Sequence, residues 1–138
     1  MPGQDIHDIA RRYVEEVINQ HNPDVFEELV AADVVYHIPS APGGVAQGRE
    51  ALRHYRDELT AAFPDIHIAI ASVIAEGDEV SWRGTVAGAQ RQRFGDIAPM
   101  GRHASVTVGE FYRIVNGKIA EAWVFYDTRS VRQQLGAG

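Results

Sequence analysis

The hydrophobic period of this chain changes at one place, and that change constrains what it can fold into. Up to Phe63 most apolar residues recur at helical spacing; from Ile66 to Tyr126 they alternate. Ile6, Ile9, Ala10, Tyr13, Val14, Val17 and Ile18 share one face of a helix expected over residues 5–20. Asn22-Pro23 then restarts the chain. Asn is a good N-cap, and Pro suits the first helical position because its missing N–H would have had no partner there. The short helix that follows runs to about Leu29. A β-rich run spans 34–39, and a Gly/Pro-rich loop spans 40–48. A third helix over 49–62 turns Leu52, Tyr55, Leu59 and then Phe63 inward and stops at Pro64.

The second half reads as strands. Ile66, Ile68 and Ile70 alternate with His67 and Ala69, and Gly77-Asp78 marks a hairpin turn before a strand over 80–86. A long loop covers 88–101. Strands over 105–115 and 118–126 flank the tight-turn pair Asn116-Gly117, and 130–135 forms a last helical turn. Helices first and antiparallel strands later imply an α+β domain, with a curved, mostly antiparallel sheet wrapped around the N-terminal helices. A sheet closed on one side by helices leaves an apolar cavity at its open end, a natural ligand site.

Composition narrows the function. With 138 residues the chain suits one domain, 1–138, large enough for a core and a pocket. No Cys is present, which excludes disulfides, thiolate catalysis and Cys-ligated metals. A net charge of −6 argues against nucleic-acid binding. The longest apolar run, 122–126, is far short of a membrane span, and residues 1–12 lack a signal core. The expectation is a cytoplasmic domain with no nucleic-acid or membrane partner.

Phosphate-cradling loops, nucleophile elbows and HExxH are absent, and no two of the six His have metal-ligand spacing. Attention falls on carboxylates. Asp127 follows the apolar run Ala122-Trp123-Val124-Phe125-Tyr126. Apolar surroundings would raise its pKa toward the range useful for proton transfer; alternatively it N-caps the segment after it. Glu110 sits inside a strand, where Glu is disfavoured, and shares parity with Val106, Val108 and Tyr112. Facing inward it is a buried acid or the partner of an Arg; facing outward it is a rim charge. His37, between Tyr36 and Ile38, is a structural residue or an acid–base group. Trp82 and Arg83 alternate, so one of them faces in. Arg91, Arg93 and Arg102 bracket Phe94-Gly95-Asp96-Ile97, as a mobile loop or a lid.

Several segments together resemble one family. They are Val35-Tyr36-His37-Ile38-Pro39, Gly48-Arg49-Glu50, Phe63-Pro64-Asp65, Ile74-Ala75-Glu76-Gly77-Asp78-Glu79-Val80 and Trp82-Arg83-Gly84-Thr85. Phe94-Gly95-Asp96-Ile97-Ala98-Pro99-Met100-Gly101-Arg102 and the closing run Phe111 to Trp123, with Asp127 after it, complete the set. In this order the segments resemble the SnoaL-like polyketide cyclase family. Many members carry a His where this chain has Val86 and another where it has Ala122, and the acid of the penultimate strand is commonly Asp rather than Glu110.

The resemblance implies a cone-shaped α+β barrel, related to ketosteroid isomerase and dimeric through its sheet. It implies intramolecular aldol closure of a hydrophobic carbonyl compound with no metal or organic cofactor. Asp127 matches the family's catalytic aspartate and would move the proton. His37 and Arg83 would steady the enolate oxygen, with Glu110 as a further acid. Tyr13, Trp82, Trp123 and Phe125 would hold the ligand's flat face. Two alternatives stand beside this reading: a non-catalytic small-molecule-binding or accessory dimer of the same fold, and an isomerase or epoxide-hydrolase-like enzyme.

Overall fold

The structure is a computed structural model that describes residues 5–137. Helix α1 (Ile6–Arg12) starts at Asp5, whose carboxylate accepts the His7 N–H, and continues as a wider π-helical stretch over Tyr13–Asn19. Its apolar face is fully used: Ile9, Ala10, Tyr13, Val14, Val17 and Ile18 are all buried. Asn22 caps α2 (Pro23–Leu29), with Pro at the first position, as its sequence requires.

Six strands form one sheet: β1 (Val30–His37), β2 (Val45–Gln47), β3 (His67–Glu76), β4 (Glu79–Ala89), β5 (His103–Val115) and β6 (Lys118–Tyr126). They lie in the order β2-β1-β6-β5-β4-β3. Every neighbouring pair is antiparallel except β1 and β6, which are parallel. β1 is longer than the expected run, and the loop over 40–48 contains β2. Helix α3 (Arg49–Ala62) keeps its expected bounds, and α4 (Thr128–Leu135) extends the expected last turn.

The helices cover one face of the sheet. Asn19 pins the end of the first helix to β3 by donating to the Ile68 carbonyl (3.0 Å) and accepting the Ile68 N–H (2.8 Å). Gly84 marks a close approach: any side chain there would collide with the Ala69 carbonyl, beside the register shift between Ile70 and Ser72.

α4 closes the open end of the cone. Its buried Leu135 packs with Ala62, Phe63, Ile66, Ile97 and Ala104. The Gln134 amide accepts the Ser105 N–H (2.8 Å) and donates to the Ser105 carbonyl (3.0 Å), on a part of β5 that extends past its pairing with β6. A side-chain amide thus replaces a missing strand and satisfies edge groups that would otherwise be open.

Candidate active site

The inner parity of β5 settles the orientation of Glu110. Val108, Glu110 and Tyr112 all face the core, and Glu110 is only 4% exposed. A buried carboxylate is costly unless it is hydrogen-bonded. Here the Tyr36 hydroxyl donates to Glu110 Oε1 at 2.6 Å and the Tyr112 hydroxyl donates to the same oxygen at 2.8 Å. Trp82 Nε1 donates to the Tyr112 hydroxyl at 2.9 Å. Arg56 Nη2 donates to the hydroxyls of Tyr13 (2.6 Å) and Tyr36 (3.0 Å), and its guanidinium lies over both rings.

Sheet register explains how two tyrosines reach one oxygen. Tyr36, Ala122 and Tyr112 lie side by side across β1, β6 and β5. Ala122 is small and fully buried, so the flanking rings approach with centroids 6.4 Å apart.

Both phenol bonds fall on Oε1, and Oε2 accepts no hydrogen bond from the described residues. Burial pushes the Glu110 carboxyl above its ordinary range, against the opposing pull of the Arg56 charge and the two phenols. The site therefore holds a carboxyl anchored through one oxygen, free at the other, and more basic than usual.

Glu110 lines a small inner cavity of about 60 Å³ together with Tyr36, Tyr55, Arg56, Val86 and Val124. An apolar chamber of about 110 Å³ shares Tyr55, Leu59, Ile66 and Val86 with it and adds Phe63, Phe94, Tyr126 and Val131. Beyond this lies a groove of about 350 Å³ between Pro39-Ser40, the segment 94–97 and α4. The loop over 90–102 roofs this passage. Phe94 meets Phe63 and Tyr55 edge-on at 5.6 and 6.4 Å. Asp96 pairs with Arg132 at 2.9 Å, and Gln90 Nε2 donates to the carbonyls of Gln92 and Ile97.

The expected site residues separate into two sets. Glu110, Tyr13 and Trp82 are in the inner network, but Tyr13 and Trp82 are buried behind it and line neither the cavity nor the chamber, so they do not take the ligand-holding place expected of them. The others lie elsewhere. Asp127 is exposed and N-caps α4, accepting the Ser130 N–H at 3.0 Å, and it lines neither cavity. The apolar run before Asp127 ends with the strand, so the expected desolvation does not reach it. His37, Trp123, Phe125 and Arg83 are on the outer face of the sheet, because alternation sends them opposite to Tyr36, Ala122, Val124 and Trp82. His37 stacks on Trp123 (5.5 Å) and bonds Glu121 at 2.8 Å.

Arg56 is the residue that sequence reasoning missed. Its signal was a charged residue on the apolar stripe of α3, between Leu52 and Leu59. Of the alternatives for Glu110, the inward-facing acid is the one observed; no arginine bonds it directly, and Arg56 reaches it only through the Tyr36 hydroxyl. Among the described residues no cluster of three or more His, Asp or Glu could hold a metal ion, and no helix is long and apolar enough to cross a membrane.

Comparison with known proteins agrees with this fold. The sequence profile of the SnoaL-like polyketide cyclase family matches residues 8–135. The chain resembles Streptomyces antibioticus IdmH, provisionally named a polyketide cyclase, with 26% identity and a TM-score of 0.83 over 96% of this chain and 99% of that one. It shares its fold with a protein of Jannaschia sp. CCS1 provisionally named a SnoaL-like polyketide cyclase, at 22% identity and a TM-score of 0.85 over 99% of both chains. AclR of Streptomyces galilaeus, provisionally named a hydroxylase, has the same fold at 23% identity and a TM-score of 0.77, over 94% of this chain and 79% of that one. No curated protein matches the chain. With a family profile spanning nearly its whole length and a cone-like α+β fold shared with these structures, the chain belongs to the SnoaL-like polyketide cyclase family.

Proposed function

We propose that the protein is a cofactor-independent acid–base enzyme in which Glu110 replaces the expected Asp127 as the proton-transferring group. The observation that supports this is the one-sided anchoring of a buried carboxyl: both phenols hold Oε1, while Oε2 has no partner among the described residues. Oε2 takes a proton from a carbon next to a ligand carbonyl, and the C–H electron pair becomes an enolate. In a cyclisation the enolate carbon attacks a second carbonyl. The new alkoxide then takes the proton back from Glu110, which returns to carboxylate. Arg56, which lines the same cavity, supplies positive charge for the enolate. Such proton transfer contributes about 10²- to 10⁴-fold.

The cavity volumes limit the ligand. An apolar cavity of about 150 Å³ holds one benzene ring, so the inner cavity and chamber suit one ring or the reacting end of a larger carbonyl compound. Outside, Phe111 and Phe125 are 43% and 57% exposed and pack edge-on at 5.9 Å near the stacked His37 and Trp123. We assign this face to a homodimer contact through the sheet.

A small aryl ketone tests the chemistry. In D₂O at neutral pH the protein should accelerate exchange of the α-protons of 4-hydroxyacetophenone, followed by NMR. Glu110→Gln should abolish the acceleration. Exchange at the buffer rate with the wild type, or full exchange with Glu110→Gln, would overturn the proposal.

A further inference from the structure

Three hydroxyls that the acid–base chemistry does not use line the spaces between the outer groove and Glu110. Ser40 Oγ and the Tyr55 hydroxyl are 2.5 Å apart, and the Tyr126 phenol lies beside the same Ser40 hydroxyl. Tyr55 lines both the inner cavity and the apolar chamber, Tyr126 lines the chamber and the groove, and Ser40 lines the groove. All other groups lining the chamber are apolar side chains, Ala or Gly.

Counting protons shows what the hydroxyls can still do. One hydrogen bond between Ser40 and Tyr55 uses one of their two O–H protons. A second bond, between Ser40 and the Tyr126 phenol beside it, uses one more, and among the described residues one of the three O–H protons is left for a ligand oxygen. An O–H proton with no fixed protein acceptor is available to a ligand oxygen. Burial holds the Tyr55 phenol up at about 12, so it stays a donor at neutral pH.

We propose that Tyr55 and Tyr126 form a second oxygen-recognition point, at the opposite end of the ligand from Glu110. The site then favours compounds with two oxygen functions placed across a ring, one at the carbon acid and one, a carbonyl or hydroxyl, at the phenols. This deepens the acid–base reading and rests on the same cavity binding a carbonyl compound.

The test compares two probes, 4-hydroxyacetophenone and acetophenone, by their Kd in NMR titrations of the full chain. The wild type should bind the two-oxygen probe about 3- to 10-fold more tightly, the range of one neutral hydrogen bond. Tyr55→Phe/Tyr126→Phe keeps the rings and should bring the two Kd values together with acetophenone's own Kd unchanged. Tyr55→Phe alone should show part of the same loss, which preserves the test if the double variant fails to fold. Equal Kd values in the wild type, or an undiminished preference in the variants, would overturn the inference. Glu110→Gln separates the two proposals. If it loses α-proton exchange while the phenol variants keep their probe preference, only the oxygen-recognition point is wrong. If the phenol variants lose the preference while Glu110→Gln still exchanges, only the acid–base role is wrong.

Discussion

The Tyr36 hydroxyl donates to Glu110 Oε1 at 2.6 Å across 74 residues of sequence, and Arg56 donates to that same hydroxyl at 3.0 Å. One phenol thus links the cationic helix side chain to the buried carboxyl. Tyr36→Phe removes both bonds. The carboxylate form of Glu110 loses a donor, so its pKa moves further up and the acid limb of the rate profile moves to higher pH. The loss of stability should be about 1–3 kcal/mol, because Arg56 and Glu110 each lose a partner. Urea unfolding together with a pH–rate profile checks both; an unmoved limb contradicts the link.

Glu110 also makes stability depend on pH. Its folded pKa is raised above the ordinary 4.5 by burial. Below that value both folded and unfolded chains carry the proton, and the group has no effect. As pH rises through it, the unfolded chain ionises first, so the folded state loses relative stability until its own, higher pKa is passed. Glu110→Gln cannot ionise, and its amide oxygen can still accept from both phenols. The variant should therefore gain on the wild type as pH rises above the ordinary carboxyl value of 4.5, then level off once the raised folded pKa is passed. Denaturant titrations across that range check it; a constant difference contradicts the raised pKa.

Ala122 keeps Tyr36 and Tyr112 close enough to share one oxygen. Ala122→Leu should overpack the core by about 1–3 kcal/mol and push the rings apart. Exchange activity should fall well beyond what the stability loss accounts for. A folded Ala122→Leu variant with wild-type exchange would mean that the paired phenols do not support Glu110.

The outer face gives a separate outcome. Phe125→Glu places a charge beside Phe111, on the side of the sheet opposite the cavity. Analytical ultracentrifugation should show a dimer for the wild type and a monomer for the variant. A wild type that sediments as a monomer contradicts the sheet-face contact.

Much of the fold was readable locally. Asn22-Pro23, Asn116-Gly117 and the stripe on residues 49–62 depend on nearest neighbours, and each element formed where those signals put it. The inner parity of β5 was readable only as a choice between two faces. Of the two readings of Asp127 the N-cap is the one observed; the pocket reading failed because desolvation is a property of the surrounding fold, and five apolar residues before it in sequence do not bury a side chain that ends the strand and caps a helix. His37 and Phe125 failed for a related reason. Alternation shows that neighbours point to opposite faces but not which face is covered, and here the helices cover the side of Tyr36 and Val124. Arg56 and Glu110 meet through a tyrosine on a third element, a convergence that spacing cannot show.

The α-proton exchange rate of 4-hydroxyacetophenone, measured side by side for wild type, Glu110→Gln and Asp127→Asn, tests the assignment most directly. Asn still caps a helix, so Asp127→Asn should fold normally and exchange at the wild-type rate, whereas Glu110→Gln should fold and fall to the buffer rate. The opposite pattern, with Glu110→Gln active and Asp127→Asn silent, would contradict the assignment of proton transfer to Glu110.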